Sequence, residues 1–268
     1  MKIIDFHSHF YPDSIAARTI ALLESKSGLT APLDGTRADL LRGMKEGGVD
    51  ISVVLPVATK PEQVRKINTR NADANGKDGI VFAGAMHPGC EDIEAELDFI
   101  REAGFFGIKL HPDYQDTFFD DPKYLRVMEG AAKRGLITVT HAGVDVGYPG
   151  APVRCTPDMV KNVLSSLKGV IDYKLVLAHM GGAELPDEVL EKLAGEPVYM
   201  DTSFVLDLYP EKCLEIIRKH GADRIVFGTD APWKTQASFV SLLKSLPLSS
   251  GELEKIFHLN AESLLLMH

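Results

Sequence analysis

Short apolar runs recur along the chain, each preceded by an amphipathic stretch and a glycine. Glu46-Gly-Gly-Val-Asp-Ile-Ser-Val-Val-Leu55, Glu102-Ala-Gly-Phe-Phe-Gly-Ile-Lys-Leu110, Lys133-Arg-Gly-Leu-Ile-Thr-Val-Thr140 and Lys219-His-Gly-Ala-Asp-Arg-Ile-Val-Phe227 all follow this plan. Glycine just past a helix takes the left-handed C-cap conformation, and basic residues in the last turn complement the helix dipole. Near-continuous apolar strands alternating with helices indicate a parallel sheet buried on both faces. Eight strands are predicted, at residues 2–6, 51–55, 80–85, 107–110, 136–140, 174–178, 198–202 and 224–229. Helix starts are marked by Asp121-Pro122 and Thr156-Pro157, by Pro210, and by Asn260 as the cap of a last helix. Eight such units predict an α/β chain folded as a (β/α)8 barrel, a TIM barrel, in one domain over residues 1–268. Segments 10–35, 112–120 and 142–155 read as long loops after strands, the kind that builds a barrel's active-site mouth.

Composition narrows the function classes. A hydrophobic share of 45% and a charged share of 25% are ordinary for a soluble globular chain. The net charge of −9, with no block of lysines and arginines, argues against nucleic acid or an anionic membrane as partner. The three scattered cysteines, Cys90, Cys155 and Cys213, fit neither a disulfide framework nor a CxxC pattern and suit a reducing cytoplasm. No stretch approaches the roughly 18 apolar residues of a membrane span. Gly-x-Ser-x-Gly is absent, which argues against a serine hydrolase.

The chemistry lies where the predicted strands end. The first ends in His7-Ser-His9, whose i, i+2 spacing puts both imidazoles on one face of a strand. The third runs into His87, the fourth gives Lys109 and His111, the fifth ends at His141, and the sixth at His179. The seventh passes Asp201 and Ser203, and the eighth ends at Asp230. Six of nine histidines sit at strand ends, leaving His220, His258 and His268 elsewhere. In a barrel all these ends share one rim, where catalytic residues are found. Imidazoles and a carboxylate with a position left for water make a catalytic metal site, in which Asp230 can also act as general base.

These motifs resemble the amidohydrolase superfamily, in its amidohydrolase-related branch of small metal-dependent barrels. That branch includes hydrolases and decarboxylases of the aminocarboxymuconate-semialdehyde decarboxylase type. The resemblance rests on Asp5-Phe-His-Ser-His9, Gly107-Ile-Lys-Leu-His-Pro112, Thr140-His-Ala-Gly143, Leu177-Ala-His-Met-Gly-Gly182 and Phe227-Gly-Thr-Asp-Ala-Pro-Trp233. It implies one divalent ion on His7, His9, His141 and Asp230, zinc by preference, with no organic cofactor. It also implies that His179 orients water or substrate, or joins Lys109 on a second ion if one is present, with Lys109 carboxylated. The main expectation is a hydrolase that activates water toward an ester, lactone or amide of a small molecule. The alternatives are nonoxidative decarboxylation of an aromatic or unsaturated acid, and a catalytically silent binding barrel. Lys109, His111, Arg154 and Trp233 are the candidate substrate contacts, Arg154 for a carboxylate by its bidentate geometry. Tyr114 and Tyr148 lie on the same loops, while Asp5, Asp201 and Ser203 read as anchors for neighbouring ligands. No nucleic-acid or membrane partner is expected, and a homo-oligomer is left open.

Overall fold

A computed structural model describes residues 1–170 and 173–265; His268 lies outside them. The strands are β1 (Ile4–Ser8), β2 (Ile51–Val54), β3 (Ile80–Phe82), β4 (Gly84–Ala85), β5 (Gly107–Leu110), β6 (Ile137–Thr140), β7 (Leu175–Leu177), β8 (Tyr199–Asp201) and β9 (Ile225–Val226). All neighbours pair in parallel, in the orders β1-β2-β3 and β4 through β9. β3 and β4 are one strand interrupted at Ala83, whose N–H still donates to Val54 O at 3.1 Å. Asn68 holds the interrupted end in place, its side-chain amide bonding both the N–H and the C=O of Ala85. The ring closes between last and first strands. There Phe6 N–H donates to Phe227 O, Asp230 N–H to His7 O at 2.8 Å, and Ser8 bridges to Ala231. With helices between the strands, this is the (β/α)8 barrel the apolar pattern predicts.

Two apolar layers follow from the two-residue strand period. Ile4, Phe6, Val53, Val139, Val176 and Val226 fill the barrel interior, while Ile108, Leu110, Leu175 and Leu177 face the surrounding helices. Register then sets who else points inward. Lys109 stands opposite Val139, which stands opposite Val176, so Lys109 projects into the barrel among valines.

Three local expectations are corrected. Residues 10–35 are not one loop: α1 occupies Asp13–Ser27, burying Ala16 and Ile20 and ending at Gly28 in the left-handed conformation. The sequence hides it because one narrow apolar stripe is all it presents to the barrel. A second helix, α2 (Arg37–Gly47), and a third, α3 (Val64–Ala72), follow in chain order. Asn260 is not a cap. Its backbone is already helical, continuing a π-type turn, and its amide donates to Ala222 O and Ile225 O beneath β9. The first strand also departs from plain alternation. Ile4 and Asp5 stand opposite Ile51 and Ser52, but Ser8 stands opposite Val54, so one extra residue lies between. Such a bulge re-aims side chains at a barrel rim. Here Phe6 joins the interior cluster while His7, the next residue, also reaches the site, and Asp5 turns to the β9 end. Among the described residues no helix is long and apolar enough to cross a membrane.

Candidate metal centre

His7 and His9 are each oriented by a hydrogen bond on the ring nitrogen farther from the site. His7 Nδ1 lies 2.7 Å from the Asp201 carboxylate, and His9 Nδ1 lies 2.9 Å from Leu55 O. A carboxylate and a carbonyl only accept, so each Nδ1 carries the proton and each Nε2 keeps its lone pair in the neutral ring. Those two Nε2 atoms stand 3.1 Å apart. Asp230 Oδ1 completes the group, 3.1 Å from His9 Nε2 and 3.4 Å from His7 Nε2. Burial, with the Lys109 charge, brings the His7 pKa down to about 4 against the pull of Asp201, so the ring is neutral. Burial alone would raise Asp230, but the hydrogen bond to His9 and the attraction of the His7 and His9 imidazoles bring it to about 2. Lone pairs and a carboxylate facing one another repel unless a cation sits among them, so the donor set fits a divalent ion.

The local chain explains the convergence. Asp230 has a left-handed backbone, φ 68°, which aims its carboxylate back across the seam. Gly228 permits the approach, since an added Cβ there would lie 2.9 Å from His7 Cβ. Asp5 accepts from Thr229 N–H and Thr229 Oγ1, and its burial raises its pKa to about 7. Asp201 does more than hold His7: it accepts from the N–H groups of His179 and Ser203 at 2.9 and 3.0 Å, and from Ser203 Oγ. Burial would raise its carboxyl, but His7 and these bonds keep it far below the usual range. Replacing Asp201 by asparagine is expected to weaken divalent-ion affinity about 10–100-fold with folding intact. A chelator-competition titration beside a thermal melt measures both.

His141 and His179 form a second pair. His179 Nδ1 lies 2.9 Å from Ser203 Oγ, and its Nε2 lies 3.1 Å from His141 Nδ1. If His141 Nδ1 donates that bond, His141 Nε2 is left as a buried acceptor without a donor, and the atom does lack a partner. The other tautomer gives two facing lone pairs and turns Nε2–H toward Asp113 Oδ2, 3.8 Å away and also unpartnered. A cation beside Nδ1 is what that tautomer needs. The ring nitrogens of His141 do not join the tight group made by His7, His9 and Asp230, whose ligand atoms all lie within 4.8 Å of one another.

Two other clusters of ligand-type atoms are poorer. In His7, His179 and Asp201, the His7 and Asp201 atoms are already bonded to each other. In His111, His141 and Asp145, the two imidazoles stack at 4.5 Å and 11°, so their in-plane lone pairs run parallel and do not converge. His111 is packed between Tyr114 and His141.

His7, His9, His111, His141, His179 and Asp230 line one cavity of ≈ 800 Å³, together with Trp233, Tyr11, Tyr114, Tyr148 and Phe204. Lys109 lies at its floor, 1% exposed, with no hydrogen-bond or ion-pair partner among the described residues. Burial lowers its pKa to about 8, opposed by Asp201 and Asp230. Arg154 is corrected as a substrate contact. It pairs with Asp116, lies over the Phe118 ring, and does not line the cavity. His87 is also outside, its Nδ1 accepting from Gly89 N–H. The sequence pattern does not single out Tyr11, Asp113 or Asp145; only their position just after strands could have flagged them.

A closed parallel barrel with histidines and a carboxylate gathered at its rim defines the chain as a metal-centre type of TIM barrel. A family model described as Amidohydrolase matches residues 4–266, and the chain belongs to that family. No curated protein matches the sequence. Among solved structures, a 2,6-dihydroxybenzoate decarboxylase complexed with 2,6-dihydroxybenzoate is similar at 17% identity and TM-score 0.75, over 99% of each chain. A 5-carboxyvanillate decarboxylase from Sphingomonas paucimobilis is similar at 15% and 0.70, over 100% of this chain and 99% of that one. A dihydroxybenzoic acid decarboxylase from Polaromonas sp. JS666, with bound manganese and 2-nitroresorcinol, is similar at 16% and 0.75, over 99% and 97%. At these identities the likeness establishes the shared fold.

Proposed function

We propose that this chain is a metal-dependent, nonoxidative decarboxylase of an aromatic or unsaturated carboxylic acid. The observation that carries the reading is Lys109, a buried ammonium that feels Asp201 and Asp230 but makes no hydrogen bond or ion pair among the described residues, in the cavity that His7, His9 and Asp230 also line. With a pKa of about 8 it is largely protonated at neutral pH, and a substrate carboxylate or phenolate is the partner it lacks. The aromatic walls suit a flat acid. The decarboxylase activities of the similar barrels support this choice over hydrolysis.

A divalent ion held by His7, His9 and Asp230, with His141 beside them, would draw electron density from the substrate and orient its oxygens. Zinc and manganese both suit the donor set, and manganese is bound in one similar structure. Lys109 Nζ binds the acid and neutralises it. His179, fixed through Ser203, turns Nε2 to the site as an acceptor that takes up a solvent proton and passes it to the carbon as its bond to CO2 breaks. The buried floor keeps water from the reacting bond. A second reading, hydrolysis of an ester, lactone or amide, draws on the depressed Lys109 pKa, because the uncharged amine can become carboxylated.

The test is a panel of hydroxybenzoates, unsaturated acids, esters and lactones offered to metal-loaded protein in D2O. Release of CO2 with deuterium at the vacated carbon is expected. Turnover of esters or lactones alone, without CO2, would replace this reading with the hydrolytic one.

A further inference from the structure

The cavity extends well beyond its floor, and its outer wall carries charge of one sign. Arg18, Leu22 and Lys26 recur at four-residue spacing on α1, so one helical face turns to the cavity. Lys66, Ile67 and Arg70 do the same from α3. Acids lining the cavity are Asp145 and Asp230, both at or near the floor.

None of these four cations forms an ion pair among the described residues, although the charge of Lys26 reaches Asp145. Among the described residues Arg18 and Lys66 have no ion pair, Arg70 donates only to Asn71 Oδ1, and Lys26 lies 5.6 Å from the Tyr148 ring centroid. Outside the cavity Arg37 pairs with Asp78, Arg42 with Asp39 and Glu46, and Arg134 with Glu94 and Asp98, while Arg101, Arg126, Arg218 and Arg224 are scattered singly without ion pairs among the described residues. The contrast holds within α3 itself, where Arg65 turns away from the cavity and pairs with Glu96. In a chain of net charge −9, unpaired cations gathered along one wall make a local positive field that attracts anions. Between floor and rim the wall is apolar, with Ile15, Leu23, Val57 and Ile67, and Leu22 remains 55% exposed at the edge. A single aromatic ring at the floor would leave most of a cavity this size empty, since pockets of about 300–1,000 Å³ take drug-sized ligands.

We propose that the cavity has a second, anion-binding subsite at its rim, formed by Arg18, Lys26, Lys66 and Arg70. The substrate is then an elongated acid with an apolar middle and a carboxylate or phosphate at its far end. This rests on the reading of the floor as an acid-binding site.

The test uses 4-alkoxybenzoates of graded chain length whose far end is methyl, carboxylate or phosphate, titrated by calorimetry into metal-loaded protein. At one chain length an anionic end is expected to bind about tenfold tighter than the methyl end at low salt. High salt should remove that preference. The double variant Arg18→Gln/Arg70→Gln should reduce it while leaving the methyl-ended probe unchanged; both residues are exposed, so folding is not at risk. A phosphate preference and a carboxylate preference each support the subsite and say which anion it takes. Equal binding of all three ends overturns the subsite and leaves the floor reading standing. Failure of every probe, the methyl-ended one included, overturns the floor reading and the subsite with it.

Discussion

Asp230→Asn is expected to strip the protein of its ion and its activity while leaving the barrel folded. Asparagine tolerates the left-handed backbone that Asp230 adopts, so the change is confined to the side chain. It removes the negative charge that gathers with the two Nε2 atoms, 3.1 and 3.4 Å away. Altering a residue that merely orients a ligand costs about 10–100-fold in metal affinity, so losing a charged ligand should exceed the upper figure. Emission spectroscopy after dialysis should find near-stoichiometric ion in the wild type and almost none in the variant. Melting curves add an independent reading. Added divalent ion should raise the wild-type midpoint through binding to the folded state alone, and should leave the variant where it was. Full ion retention by the variant would remove this carboxylate from the metal centre.

Lys109→Met is expected to produce a chain that is more stable and inert. Burial lowers the lysine pKa from 10.5 to about 8, so the folded state disfavours the charge that the unfolded chain carries freely. A difference of that size corresponds to about 3 kcal/mol at neutral pH, which methionine recovers while filling similar space. Between pH 8 and 10.5 the unfolded chain binds more protons than the folded one, so wild-type stability rises with pH across that window. Denaturant titrations of metal-free protein at pH 7 and pH 10 should therefore show the variant's advantage shrinking as pH climbs. Turnover of any carboxylic acid should be lost at both. An unchanged or falling advantage below pH 8 would fit the same sign; growth of the advantage toward pH 10 would contradict it.

The barrel is readable from the sequence because its signals are local. A glycine after an amphipathic stretch and a run such as Gly107–Leu110 need no distant partner to be recognised, and Asp121 and Thr156 both cap helices as their Asp-Pro and Thr-Pro pairs suggest. The strand-end histidines are legible for the same reason. What escapes is set by contacts across the chain. The bulge in β1 depends on where Ser8 meets Val54, and Asn260 looks like a cap until its amide is seen holding Ala222 and Ile225. Arg154 has the right chemistry for a carboxylate, but Asp116 on the neighbouring loop claims it. The rim cations are invisible for a further reason: Arg18 and Lys66 resemble any solvated helix residue until α1 and α3 are placed around one space.

The closing seam between β9 and β1 carries the whole tight group of the candidate metal centre, since His7 and His9 arrive from one side and Asp230 from the other. Thr229 and Asp5, bonded across that seam, are 224 residues apart. A ribosome therefore cannot deliver a working ion site piecemeal: almost the whole polypeptide must emerge before its earliest histidines find their carboxylate. Binding of a divalent ion by this group would then require that the ring has shut, and the bound charge would latch the one joint that no short connection holds.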